Sequence, residues 1–72
     1  MMEYRQALGL AIQQVRKERR LTIAELHYRV RISHQAIREI ERGVVSPRVD
    51  TVVTICQALG IPPSELFRLA EG

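Results

Sequence analysis

Between residues 34 and 42 the chain places five hydrogen-bonding side chains, His34, Gln35, Arg38, Glu39 and Arg42, at spacings of one, three and four. At about 100° per residue on a helix, these five fall within an arc of about 140°, while Ala36, Ile37 and Ile40 share an opposing arc of about 100°. One face is therefore apolar and the other entirely polar. The polar set matches the chemistry of base-edge reading in a DNA major groove. Arginine forks onto guanine O6 and N7, glutamine onto adenine N6 and N7, and glutamate accepts from cytosine N4. His34 and Gln35 stand at the helix start, the end that a groove-reading helix presents to bases.

The charge supports this chemistry. The chain carries 11 basic residues, ten of them Arg, against 8 acidic ones, for a formal net charge of +3. Eight basic and four acidic residues lie between Arg16 and Arg42, so that segment is net +4 and the rest is net −1. Positive charge concentrated on and beside one polar helix face suits phosphate contact. Tyr28 is the one aromatic residue within the segment, which favours duplex DNA over single strands that require stacking platforms. Other chemistries lack their parts. No nucleophile–base pair, phosphate-cradling glycine loop or paired carboxylates are present, so an enzyme is not expected. His27 and His34 are seven apart with no thiol or carboxylate at ligand spacing, so neither metal nor cofactor is expected. Cys56 reads as a small core residue.

These side chains need elements to carry them. Leu8, Ala11, Ile12 and Val15 recur at helical spacing, which predicts helix 1 over Glu3 to Arg20. Thr22-Ile23-Ala24-Glu25 is a capping box, predicting helix 2 from there to about Arg29, with Ile23 or Leu26, and Val30, turned inward. Ser33 is a good N-cap and Gly43 a good C-cap, which bound helix 3 at His34 to Arg42. Residues 51–55, Thr-Val-Val-Thr-Ile, have the composition of a strand. Ser46-Pro47 before them and the absence of a breaker before Gly60 argue for a helix instead, from about Arg48 to Leu59. Its inner face would hold Val49, Val52, Cys56 and Leu59. Ile61-Pro62-Pro63-Ser64-Glu65 opens a short helix 5 carrying Leu66, Phe67, Leu69 and Ala70. The result is an all-α, compact five-helix bundle with a helix-turn-helix at its centre.

With 72 residues and 46% hydrophobic composition, the chain is one small folding unit, a single domain over residues 1–72. No apolar run approaches the roughly 18 residues of a membrane span. A single cysteine excludes an internal disulfide and suits a reducing, cytoplasmic setting. Val53, Leu66, Phe67, Leu69 and Ala70 exceed what five short helices obviously bury, and a symmetric homodimer seam would absorb them.

The motifs resemble the lambda-repressor/Cro-type, or XRE-like, helix-turn-helix family. The matching residues are Leu8-Gly9, Ile12, Arg16, Leu21-Thr22, Glu25-Leu26, Ile32-Ser33, Ile37, Ile40-Glu41-Arg42-Gly43, Pro47, Ile55, Ala58-Leu59-Gly60-Ile61-Pro62 and Glu65-Leu66-Phe67. The resemblance implies a transcriptional regulator that binds double-stranded operator DNA as a homodimer, of the repressor or restriction-modification controller kind, and no small-molecule effector is evident. It implies base-facing roles for Ser33, His34, Gln35, Arg38 and Glu39, backbone contacts for Thr22, Arg42 and Arg48, and a salt bridge between Arg16 and Glu41. The alternative is a helical protein-interaction module such as an antitoxin with DNA-binding autoregulation. Three positions depart from the family's pattern. Ile23 replaces its glutamine at the start of helix 2, His27 its small residue, and Arg31 its turn glycine. If Arg31 keeps a left-handed conformation, the cost is about 1–2 kcal/mol.

Overall fold

The computed structural model describes residues 2–72, so Met1 lies outside it. Helix α1 (Tyr4–Glu18) is followed by α2 (Ile23–Arg29), α3 (His34–Arg42), α4 (Val49–Leu59) and α5 (Pro63–Glu71), and no strand occurs among the described residues. Every expected helix is present. The capping chemistry sets the boundaries of the middle pair. The Thr22 hydroxyl accepts from the Glu25 amide at 3.0 Å, and the Glu25 carboxylate accepts from the Thr22 amide at 2.8 Å. The Ser33 hydroxyl accepts from the Ala36 amide at 3.0 Å. Gly43, at φ 75°, ends α3 in the left-handed conformation that a glycine reaches without steric cost.

Residues 51–55 are helical despite their β-branched composition. Tertiary burial decides this, because Val52, Ile55, Cys56 and Leu59 all become buried on one side of α4. The Thr54 hydroxyl donates back to the Asp50 carbonyl at 3.0 Å, so that side chain is satisfied within the helix. Val49 departs from the expected inner face. It is 72% exposed, since the first turn of α4 extends past the elements that cover Val52.

One cluster of buried apolar side chains draws on all five helices: Leu8, Ile12 and Val15 from α1, Leu26 from α2, Ile37 and Ile40 from α3, Ile55 and Cys56 from α4, and Leu66 from α5. Helix α1 lies at the centre, packed against α5 on one side and α3 on the other. Its approach to α3 is very close at Gly9, where an added methyl group would collide with the carbonyl oxygens of Ile40 and Glu41. Leu66, which the sequence places at a dimer seam, is instead fully buried in its own protomer, because α5 turns it onto α1 as its main core residue. Phe67, Leu69 and Ala70 are half-buried against the same core, and Val53 is likewise half-buried.

The strain anticipated at Arg31 lies elsewhere. Arg20 is the one non-glycine residue with positive φ among those described, at 57°, so the turn between α2 and α3 is made without a left-handed residue. Arg20 occupies the position after the C-cap of α1, where the Leu21 amide returns to the Arg16 carbonyl at 3.1 Å. A β-carbon in that conformation costs about 1–2 kcal/mol, partly offset by the lower unfolded-state entropy of a non-glycine residue. Arg20→Gly should therefore stabilise the fold by about 1 kcal/mol and raise the melting temperature by roughly 4–8 °C. A urea titration whose midpoint is unchanged or lower would show that this conformation carries no strain.

Candidate nucleic-acid interface

The polar face of α3 is held outward by what its inner face does. Ile37 and Ile40 are buried in the core, and Glu41 is buried beside them. Glu41 meets Arg16 from α1 in a two-pronged ion pair, with Nε to Oε2 at 2.6 Å and Nη2 to Oε1 at 2.9 Å. The third prong, Nη1, donates to the Leu21 carbonyl oxygen at 2.8 Å. Arg16 and Glu41 are 7% and 5% exposed, so the pair joins α1, α3 and the approach to α2 inside the protein. The hydrogen bond to Glu41 raises Arg16 above the ordinary arginine range against the opposing effect of burial. The salt bridge expected from the sequence is formed.

On the opposite side, His34, Gln35, Arg38, Glu39 and Arg42 line one open concavity along α3. All but the half-buried Glu39 are exposed, and Gln35 donates to Glu39 at 3.4 Å along the helix. Ser33, also exposed, precedes them as the N-cap. Ala36, placed with the apolar arc, is half-buried at its edge. Thr22 and Arg48 are not drawn into this concavity. Each is the exposed N-cap of its helix, Thr22 of α2 and Arg48 of α4. The Thr22 amide is engaged by the Glu25 carboxylate, and the Thr22 hydroxyl also bonds to Glu25. Those bonds lower the Glu25 carboxyl from its ordinary range, the amide bond most. The cap is therefore complete above the ordinary carboxylate range and is lost as pH falls through the lowered value.

The positive segment divides into internal and outward-facing charges. Arg16 is buried in the ion pair, and Arg19 reaches from the end of α1 to the Leu59 carbonyl at 3.0 Å, tying α1 to the end of α4. Arg19 is still exposed, as are Lys17, Arg20, Arg29, Arg31, Arg38 and Arg42. The Arg19 bond spans 40 positions and has no signal in local spacing. His27 is another contact the sequence left undefined. Half-buried, its Nδ1 lies 2.7 Å from the Ile32 carbonyl oxygen. The signal for it was its size at a place where the family carries a small residue. Cys56 is buried and its thiol is pushed up by desolvation, which disfavours the reactive thiolate.

Residues 12–66 match the sequence pattern of the helix-turn-helix family. The chain belongs to that family, in its lambda-repressor-type branch. Members of this helix-turn-helix family are DNA-binding transcriptional regulators. The chain is 35% identical over 65 residues to the HTH-type transcriptional regulator y4dJ of Sinorhizobium fredii, an alignment covering 90% of this chain and 84% of that protein. It is 34% identical over 59 residues to the immunity repressor protein of Bacillus phage phi105, covering 82% of this chain but 41% of the repressor. Among solved structures, the clp gene regulator ClgR of Corynebacterium glutamicum superposes with a TM-score of 0.96 over 100% of this chain and 94% of that one, at 29% identity. Among the described residues, no helix of this family member is long and apolar enough to cross a membrane.

The buried pair generates a stability prediction. Glu41→Gln leaves a guanidinium buried without its counter-charge and should cost about 3–5 kcal/mol, whereas the double replacement Arg16→Met/Glu41→Leu should cost less than that single change. Thermal unfolding of the two variants measures this, and a cost below about 1 kcal/mol for Glu41→Gln would contradict it.

Proposed function

We propose that the chain is a sequence-specific regulator of transcription that binds double-stranded DNA as a homodimer, with α3 in the major groove of a pseudo-palindromic operator. One observation carries the reading: the entire outward face of α3 consists of side chains able to hydrogen-bond base edges, gathered along one concavity on a helix fixed from behind by a buried ion pair. In this arrangement Arg38 forks onto guanine, Gln35 pairs with adenine, and Glu39 accepts from cytosine or orients Gln35. Ser33 and His34 meet the first bases. Thr22, Arg42 and Arg48 engage the phosphate backbone and set the register.

The dimer is assigned to the side of the protein bearing Val53, Phe67, Leu69 and Ala70, which are only half-covered in one protomer. Tyr4 extends this surface, with its ring centroid 6.4 Å from that of Phe67. A two-fold seam there would set two recognition helices about 34 Å apart, one turn of DNA. The single domain over residues 1–72 is the unit that dimerises. Similarity to a phage immunity repressor favours repression by operator occupancy.

Arg38→Ala should weaken operator binding by about 1–3 kcal/mol and relax preference at one base pair. Fluorescence anisotropy on a set of single-substituted operators measures both. Uniform weakening across the set would instead make Arg38 a phosphate contact. Sedimentation equilibrium at micromolar concentration should give a dimer, and Ala70→Glu a monomer of unchanged helical content. A wild-type monomer under those conditions would overturn the seam.

A further inference from the structure

His27 takes no part in the contacts assigned above, yet it bridges the two helices of the motif. It lies in the last turn of α2, and its Nδ1 lies 2.7 Å from the carbonyl oxygen of Ile32. A carbonyl only accepts, so Nδ1 must carry the hydrogen, and in the neutral ring Nε2 is left bare. Ile32 immediately precedes Ser33, the N-cap of α3. The same ring stands 5.6 Å, centroid to centroid, from Tyr28, and meets the His34 ring edge-on at 6.4 Å. His34 is the first residue of α3. A side chain of α2 is thus bonded to the residue before the N-cap of α3 and packed against the residue after it.

The need for such a tie follows from the turn. Arg31 occupies the place of the family's turn glycine but has no positive φ. Val30 ends α2 at φ −123° and ψ 59°, with its amide bonded to the carbonyls of Leu26 and His27. No backbone amide bond to the Ile32 carbonyl occurs among the described residues, and the His27 imidazole supplies the donor. The imidazole pair has no third metal ligand among the described residues, and Arg29 and Arg31 beside it disfavour a cation.

We propose that His27 is a positioning residue for DNA recognition, its Nδ1–H bond to the Ile32 carbonyl fixing where α3 begins and hence how His34, Gln35 and Arg38 meet the bases. This rests on the reading of α3 as the base-reading helix. The bond acts on the geometry of reading and leaves the phosphate contacts of Thr22 and Arg48, which lie outside α3, untouched, so its loss lowers discrimination between sequences more than affinity for DNA in general.

Nitrogen NMR of the imidazole side chains tests the bond directly. His27 should be the Nδ1–H tautomer at neutral pH, and an Nε2–H tautomer overturns the proposal. Three variants test its consequence. His27→Asn sets an amide nitrogen where Nδ1 stands, His27→Gln sets one where Nε2 stands, and His27→Ala restores a small residue of the kind the family folds with. The ratio of operator affinity to affinity for an unrelated duplex should fall roughly three- to tenfold in the Ala and Gln variants, the size of one net hydrogen bond, and be retained in Asn. An unchanged ratio in His27→Ala, or equal losses in Asn and Gln, overturns the proposal. A wild-type protein that binds all duplexes alike overturns the base-reading assignment and the specificity role of His27 together. An Nδ1–H tautomer, with faster amide exchange at the start of α3 in His27→Ala, upholds the positioning bond on its own.

Discussion

The buried contact of Arg16 with Glu41 and the Leu21 carbonyl is the constraint on which the rest of the arrangement depends. Two full charges removed from water are costly, and the cost is recovered only where geometry is close to ideal and every donor has a partner. Here both prongs to the carboxylate and the third to a backbone oxygen are made, and no buried side-chain nitrogen or oxygen among the described residues lacks a partner. The pair has a directional consequence that apolar packing lacks. It permits one rotation of α3 about its axis, the one that turns Glu41 inward and His34, Gln35, Arg38 and Arg42 to solvent. Gly9 is its companion, because only a residue without a β-carbon lets α1 approach the backbone of α3 closely enough for the pair to close.

The same economy governs the basic residues. A count of charges marks the segment from Arg16 to Arg42 as one positive region, but Arg16 is buried in its ion pair, and Arg19, though exposed, is bonded to the end of α4. Exposed positive charge belongs to Arg19 and the remaining six. The electrostatic surface offered to phosphates is therefore smaller than the sequence total suggests and lies nearer to α2 and α3. Arg20 belongs to it while occupying a conformation that glycine would take at lower cost.

Much of the architecture was legible because the signals were local. Capping residues bond across three positions, so Thr22–Glu25 and Ser33 announced the starts of α2 and α3, and Gly43 the end of α3. Apolar periodicity located the core of α1. Alternation between faces identified the polar side of α3 before any packing was known, since Ile37 and Ile40 had to be buried together. Local information failed where a residue's environment came from distant chain. Val49 shares the period of its helix but lies beyond the elements that would cover it. Leu66 reads as surplus apolar surface until α5 is laid on α1. Arg31, in the place of a turn glycine, is where the sequence suggests a left-handed residue. It occurs at Arg20 because the end of α1 closes by its own backbone bonds, whereas the α2–α3 turn gains a donor from His27.

By itself, the sequence determined the number and order of the helices, the polar face of α3 and the helix-turn-helix between two capping signals. Each depends on residues within a turn or two of one another, where spacing and hydrogen-bond chemistry leave few alternatives. Tertiary structure alone decided which arginines point outward, which apolar residues are spent inside one protomer, and what anchors the start of α3. Those outcomes depend on contacts such as Arg16 to Glu41 across 25 positions and Arg19 to Leu59 across 40. A long flexible side chain has the same local pattern whether it ends in solvent or in a neighbour's carbonyl. Only the packing of the helices brings the neighbour within reach.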